Sequence, residues 1–368
     1  MELIKHLKSE RPYQEMWNTF VYFESEPTTK EFLEKIYIKN GYDESFKYAF
    51  LNTSKFIYFI KQSKEYFHSA ENSNILVKPL LIYYGMMNLI KAIVLTKDPD
   101  YPRNSGVLRH GITTRKLKKN NYSFRDDEIK IQKEGLLPHF YSLVTNHSSD
   151  KIEGNKYQIK ELISLLPELQ TSYQRIFQQQ LLYPIEISIE NHNKKTQTLM
   201  LRIPKKVLQF FNQDQKKFCK DLNLYNQKKD FTFSLCQNVD QQNIEYSKFL
   251  SEDAIYIDYL IKNENVNNLS YYNIFQNPMI IQDFKGNYFI KPIIDTKLIL
   301  PELMIYYMIM YNLGMLCRYE TELWGDINFS FTSEDMYIIN EFINISLRKF
   351  PNLVLNLLFN EILVFDSI

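Results

Sequence analysis

Two long apolar runs stand near opposite ends of the chain, Leu80–Leu95 and Leu303–Cys317, and neither has a face suited to water. A helix that is apolar all round has to be buried, either in a protein core or in a membrane. Each run is about 15 residues, short of the ~20 that a bilayer requires. The first carries Asn88 and Lys91, and the second carries Asn312, Gly314 and three tyrosines. A lysine in mid-span would be costly in lipid. The two runs are therefore expected to be buried core helices, with no transmembrane segment. Neither can hide its surface alone, so the C-terminal helices are expected to pack back on the N-terminal ones in one helical bundle.

Helical periodicity extends beyond these runs. Phe32, Leu33, Ile36 and Tyr37 recur at three- and four-residue steps, as do Phe56, Phe59, Ile60 and Phe67, within a helical stretch 28–69. Pro27 with Thr28 and Thr29 can start it. Pro79 fits the first turn of the helix 78–95, Gly85 allows another backbone to come close, and Asp98, Pro99 and Pro102 end the helix. Residues 101–125 read as a loop or a short irregular helix, and 158–178 as another helix.

The period then changes. Tyr183-Pro-Ile-Glu-Ile-Ser-Ile-Glu190 alternates as a half-buried strand does. Leu199–Ile203 and Phe231–Leu235 are further strands, and 279–294 is a hairpin turning near Lys285-Gly286-Asn287. Residues 252–260 are ambiguous. After Pro301 three helices follow: one carries the stripe Leu303, Tyr306, Tyr307, Met310, Leu313 and Leu316, one runs 333–350 and stops at Pro351, and the last covers 353–364. The expected fold is mainly α with a β-rich insertion, an α+β architecture. A helical region 1–180 precedes the insertion 183–295, and C-terminal helices 297–368 follow it. Only 9 of 368 residues are Gly, which favours long helices over a meander of short strands.

The net charge of +1 leaves no overall field for nonspecific binding to nucleic acid or membranes. Cys219, Cys236 and Cys317 are odd in number and far apart, with neither disulfide nor zinc spacing. The first residues hold no apolar signal region. A reducing, cytoplasmic setting follows, with no cofactor and no metal expected. The sequence holds no GxxxxGK[ST], GxGxxG, GxSxG or HExxH.

One segment breaks the charge balance. Tyr101–Arg125 contains no Asp or Glu, yet holds Arg103, Arg109, His110, Arg115, Lys116, Lys118, Lys119 and Arg125. Tyr101, Tyr122 and Phe124 flank the charges. Basic residues beside aromatics can hold phosphates and stack bases, so Arg109, Arg115, Lys116, Lys118, Lys119 and Arg125 form a candidate anion or nucleic-acid patch. The bland alternative is a solvated basic loop. Within the segment, Arg103 and His110 form a candidate catalytic pair. His110 would act as acid or base on a 2′-hydroxyl, and Arg103 would stabilise the phosphorane, so RNA could be cut without metal. The alternative gives His110 a structural role, bonding backbone beside a turn at Gly111. Weaker candidates are Asp283 with Asp295 and Lys297, as a metal-nuclease triplet, and Glu320, Glu322 and Asp326 around Trp324. His68, His139, His147 and His192 are scattered.

Two segments together resemble the YaaC-like proteins of bacteria. The first is Ser69-Ala70, then Lys78-Pro-Leu-Leu-Ile-Tyr-Tyr-Gly-Met-Met-Asn-Leu-Ile-Lys-Ala92 and His110-Gly111. The second is Leu313-Gly-Met-Leu-Cys-Arg-Tyr-Glu-Thr-Glu-Leu-Trp324. The first, with its Tyr83–Tyr84 pair, is also similar to the helical HEPN superfamily, where an Arg…His motif follows. That likeness implies a metal-independent endoribonuclease using Arg103 and His110, with Asn104 after the Arg. The YaaC-like resemblance implies instead a sensor or adaptor in an anti-phage defence or regulatory system, working with a protein partner encoded nearby. A phosphate-bearing ligand or RNA and a homodimer are compatible with either. Lys91, buried on an apolar helix, needs a partner. Arg318 and Trp324 are expected to anchor the end of the C-terminal helix.

Overall fold

The structure is a computed structural model, and it describes residues 5–115, 122–193, 196–226, 231–236, 254–261, 277–292, 295–330 and 334–368. The chain opens with β1 (Lys5–Ser9), α1 (Pro12–Val21), α2 (Glu26–Lys39), α3 (Ser45–Asn72) and α4 (Lys78–Lys97). Next come β2 (Ile112–Arg115), β3 (Glu128–Ile131), α5 (Leu136–Thr145), β4 (Lys156–Gln158), α6 (Ile159–Ile163) and α7 (Gln170–Phe177). The β-rich stretch contains β5 (Tyr183–Asn193), β6 (Thr196–Pro204), α8 (Gln215–Leu224), β7 (Phe231–Leu235), β8 (Ala254–Ile261), β9 (Ile280–Gln282) and β10 (Tyr288–Ile290). The chain closes with α9 (Glu302–Tyr319), α10 (Thr321–Phe329), α11 (Asp335–Phe359) and β11 (Leu363–Ser367). The fold is mainly α with a sizeable β region, as the periodicities implied.

Contacts divide the chain into two compact units. The helical unit joins His6–Ile163 to Leu300–Ile368, so helices from both ends share one core. The sheet unit is built from the described residues of Ser164–Ile299. The divisions fall at 163/164 and 299/300, against 180/183 and 295/297 read from the sequence, and α7 lies with the sheet unit.

In the helical unit, α4 packs against α3, α9 and α11. Pro79 occupies the first turn of α4, where its missing N–H costs nothing. Of the apolar window of α4, 72% is buried. Gly85 lies against Phe67 and Tyr66 of α3, and a Cβ there would come within 2.6 Å of the Phe67 ring. The Ser63 hydroxyl donates to the Gly85 carbonyl at 2.9 Å, in the same contact. Trp17, Phe20, Phe23, Phe56 and Phe67 form the aromatic core beside it. Lys349 of α11 is buried and pairs with Glu302 of α9 at 3.3 Å.

The sheet unit holds an antiparallel sheet of order β7-β8-β6-β5-β10-β9. Its alternating residues Ile185, Leu199, Leu201, Ile203 and Ile257 turn to one core, filled from above by Val207, Phe211, Phe218 and Leu222. Residues 254–261, ambiguous by pattern, become the strand between β7 and β6.

Three expectations need correction. Residues 112–115 are not loop: β2 pairs with β3, and β3 with β4, in a small antiparallel sheet. The helix expected over 158–178 breaks around Pro167, which starts a 3-10 turn between α6 and α7. The stretch 28–69 is helical as expected, in two helices parted near Gly41, whose φ is +79°. Pro351 does not stop a helix; α11 runs through it, buried on the apolar side where tertiary packing outweighs the lost backbone bond. The expected last helix, 353–364, is therefore the end of α11, followed by β11, which pairs with β1.

Candidate functional site

The residues singled out between 101 and 125 do not form one patch. Arg103 turns back to the end of α4. Its Nε and Nη2 donate to the Asp98 carboxylate at 3.0 and 2.7 Å, while His139 of α5 holds the other oxygen at 2.9 Å. Asp98 is 1% exposed. Burial pushes its carboxyl pKa up, but the hydrogen bonds and charges of His139 and Arg103 outweigh that, and the net shift is downward. A buried carboxylate without those partners would be costly, so Arg103 serves as its counter-ion.

Arg125 is also committed. Its Nε lies 2.8 Å from Asp335 and its Nη1 3.6 Å from Glu334. Asp335, fully buried at the start of α11, further accepts from the Phe124 N–H at 2.8 Å. Arg125 thus ties the small sheet region to α11. Arg109 is exposed, and its carbonyl accepts from the Leu136 N–H at 2.7 Å. Lys116, Lys118 and Lys119 lie outside the described residues, as does the side chain of Arg115.

His110 is placed by backbone. Its carbonyl accepts from Leu137 N–H at 3.3 Å, and the Gly111 carbonyl accepts from Gln132 N–H at 2.8 Å. Gly111, at φ +79°, abuts Gly135 and Pro138; a Cβ on Gly111 would sit 2.3 Å from the Pro138 ring. Only glycine fits this crossing. The crossing sets the His110 ring against α4, where Nδ1 is hydrogen-bonded to the Tyr83 hydroxyl at 2.5 Å. Tyr83 in turn shares a hydrogen bond with the Tyr307 hydroxyl at 2.9 Å. Tyr311 closes the group, its ring centroid 5.4 Å from His110 and 5.5 Å from Tyr83. The His110 ring is bonded to the Tyr83 side chain rather than to backbone beside the Gly111 turn.

The face of α9 that meets this cluster carries Tyr307, Tyr311, Gly314 and Arg318, residues at helical steps. Gly314 faces Tyr83, and a Cβ there would make ordinary contact at 3.8 Å. Arg318, at the exposed end of the stripe, reaches the Tyr84 hydroxyl at 3.5 Å and also bonds the Tyr319 hydroxyl, with its guanidinium 4.7 Å from that ring. Tyr84 stacks on Tyr66, with centroids 5.7 Å apart. Trp324 is buried, and its indole N–H donates to the Leu76 carbonyl at 3.2 Å, a bond that anchors α10. Lys91 faces the Phe59 ring at 5.8 Å, and burial lowers its pKa. Asn88 finds its partner in Gln62 at 2.9 Å.

Burial lowers the pKa of His110, and the charges of Arg318 and Lys91 lower it further. Burial also raises the Tyr83 hydroxyl far above its ordinary value, so the Tyr83–His110 bond joins two neutral groups at pH 7. The exposed Arg318 guanidinium thus stands beside a neutral tyrosine–histidine network, where it can receive an anion. Among the described residues, no group of three or more His, Cys, Asp or Glu side chains could hold a metal ion. Asp283 accepts from Lys285 and Asn287 N–H within the β9–β10 turn, and Asp295 accepts from Lys297 N–H. Both therefore shape local turns.

Tyr307, Tyr311 and Asp98 were not among the site residues expected from sequence, where Tyr307 counted as core and Asp98 as a helix end. The first two lay in plain view as the α9 stripe at i, i+4, i+7 and i+11 that ends on Arg318. Asp98 is paired with His139 from 41 residues away, which no local pattern announces.

These features define a mainly α protein with an antiparallel β unit and a cluster of tyrosines around His110 in its helical unit. A family profile described as YaaC-like Protein matches residues 21–358, nearly the whole chain, and the chain belongs to that family. No curated protein and no solved structure matches it.

Proposed function

We propose that the chain is a sensor or adaptor that works with a partner protein in a defence or regulatory system of the bacterial cytoplasm, and that it reads an anionic group at the Arg318–His110–Tyr84 face. The observation that carries this reading is the tyrosine stripe of α9, which converges with Tyr83 and His110 beneath an exposed arginine. Arg318 can offer a planar fork to a phosphate or carboxylate, and Tyr84 and Tyr319 can flank it.

The alternative, a HEPN-like ribonuclease, asks Arg103 and His110 to act on one phosphate. Asp98 already occupies the Arg103 fork and Tyr83 occupies His110 Nδ1, so both groups have structural partners. A mixture of RNA hairpins incubated with the purified chain separates the readings. We expect Arg103→Ala and His110→Ala to leave RNA turnover at the level of the unaltered chain while lowering its thermal stability. We expect Arg318→Ala to keep the stability and to abolish any shift of the His110 ring signals in NMR when inorganic phosphate is added. Cleavage lost in both Arg103→Ala and His110→Ala at unchanged stability would establish the nuclease instead.

A further inference from the structure

The hydrogens of the Tyr307–Tyr83–His110 chain can be placed by elimination. Each phenol carries one hydrogen, and the neutral imidazole carries one on either nitrogen. Two bonds join the groups: Tyr83 to His110 Nδ1 at 2.5 Å and Tyr83 to Tyr307 at 2.9 Å. Tyr307 is 0% exposed and Tyr83 1%, so neither hydroxyl can turn to bulk solvent. Among the described residues, Tyr83 is the one hydrogen-bond partner of the Tyr307 hydroxyl, and the other ring nitrogen, Nε2, has none. His110 is half-buried, and Nε2 is not sealed from water. Suppose the ring hydrogen sits on Nδ1 and points at Tyr83. Either Tyr83 then donates to Tyr307 and strands the Tyr307 hydrogen, or Tyr307 donates to Tyr83 and strands the Tyr83 hydrogen. A buried donor without an acceptor disfavours either arrangement by roughly 5- to 150-fold. In the remaining arrangement Tyr307 donates to Tyr83, Tyr83 donates to Nδ1, and the ring hydrogen sits on Nε2. That arrangement alone strands no buried hydrogen.

We infer that Tyr83, backed by Tyr307, is a positioning residue that locks the His110 hydrogen on Nε2, so that the site offers only donors, Nε2–H and the Arg318 guanidinium, and takes an oxyanion through bare oxygens. This rests on the anion reading above and names its ligand class. The lock decides what the ring can do. An Nε2 lone pair would accept a hydrogen bond, select a ligand that keeps a proton, and suit His110 to draw a proton from a hydroxyl. An Nε2–H does none of these; it adds a donor beside the fork of Arg318. Arg318 lies near enough for its charge to lower the His110 pKa, so one ion is felt by both groups.

The test uses the full chain, isotopically labelled at the histidine nitrogens, in mildly alkaline buffer where the ring is neutral. In the unaltered chain the nitrogen NMR shift of Nε2 should be that of a protonated ring nitrogen, and the shift of Nδ1 that of an acceptor. Tyr83→Phe should let the two nitrogens average towards a mixture of both forms. Tyr307→Phe should leave them as they are, because Tyr83 still donates to Nδ1. A merely structural role for the tyrosines would change the melting temperature and not the tautomer. Inorganic sulfate and inorganic phosphate are then titrated against the same signals. Both are mainly dianions in this buffer, but hydrogen phosphate keeps one hydroxyl and sulfate has none. Sulfate should bind within about 3-fold of phosphate, because neither donor asks the ion for a hydrogen. A hydrogen on Nδ1 in the unaltered chain, a ring that ignores Tyr83→Phe, a ring that flips in Tyr307→Phe, or phosphate bound at least ~10-fold tighter than sulfate would each overturn the inference. If both ions bind while Nδ1 carries the hydrogen, the lock falls and the anion reading stands. If neither ion moves the ring signals while Nε2 carries the hydrogen, the anion reading falls and takes the ligand class with it, and the lock stands.

Discussion

Gly85→Ala pits two physical effects of opposite sign against each other. Replacing a mid-helix glycine by alanine normally stabilises a helix by about 1 kcal/mol. Here the new Cβ would lie 2.6 and 2.7 Å from two carbons of the Phe67 ring and 3.4 Å from Cβ of Tyr66. Phe67 is fully buried and lies 5.3 Å, centroid to centroid, from Trp17, so it has little room to turn. Relief requires α3 and α4 to part by several tenths of an ångström. Overpacking of this kind costs about 1–3 kcal/mol, and weakening the Ser63 hydrogen bond to the Gly85 carbonyl adds about 1 kcal/mol. The sum outweighs the propensity gain and leaves a net destabilisation of about 1–3 kcal/mol. For a unit of this size that lowers the melting temperature by about 2–12 °C. Urea denaturation and calorimetry of the full chain measure it. Phe67→Leu should recover part of the loss when combined with Gly85→Ala, because the two share one contact. A melting temperature that rises in Gly85→Ala, or losses that add independently, would refute the close helix crossing.

Asp335→Asn should cost on the order of 3 kcal/mol, because it removes the buried carboxylate that holds Arg125 and the Phe124 N–H; chemical denaturation reads it. Acid should act in two stages. His110 has a folded pKa below the ordinary 6.5, so the unfolded chain binds more protons, and stability falls as pH drops from about 6.5 towards the folded value, then levels. Asp98 has a folded pKa below 3.8, so its contribution is present above that value and is lost as pH falls through the lowered one. Asp98→Asn should therefore flatten the lower limb of a stability–pH curve and leave the upper limb, and His110→Gln should do the reverse. Trp324→Phe removes the bond to the Leu76 carbonyl and should cost about 1–2 kcal/mol, measurable by denaturant titration.

The two apolar runs were legible as core helices because their composition leaves no other place for them. Gly85 was expected to admit another backbone, whereas the Phe67 ring of α3 fills the space its missing Cβ leaves. The sheet unit showed through the strict alternation of β5 and the hairpin signal around Gly286. The small sheet of β2, β3 and β4 did not, since each strand has only three or four residues among charges and turns, too short for a period to register. Pro351 misled because local propensity weighs the lost N–H, whereas α11 is held by the residues it buries. The site was half visible. His110, Tyr84 and Arg318 were singled out, but the basic segment 101–125 suggested a single patch. Folding instead spends Arg103 on Asp98 and Arg125 on Asp335, acids that lie outside the segment and far apart in sequence.

The anion-reading site is tested most directly by titrating the His110 ring by NMR in the unaltered chain, in Arg318→Ala and in saturating inorganic phosphate. The account predicts a pKa below 6.5 in the free chain, which rises in Arg318→Ala as a cation is removed and rises on phosphate binding as a negative charge arrives. A His110 pKa at or above 6.5 that neither phosphate nor the loss of Arg318 moves would contradict it.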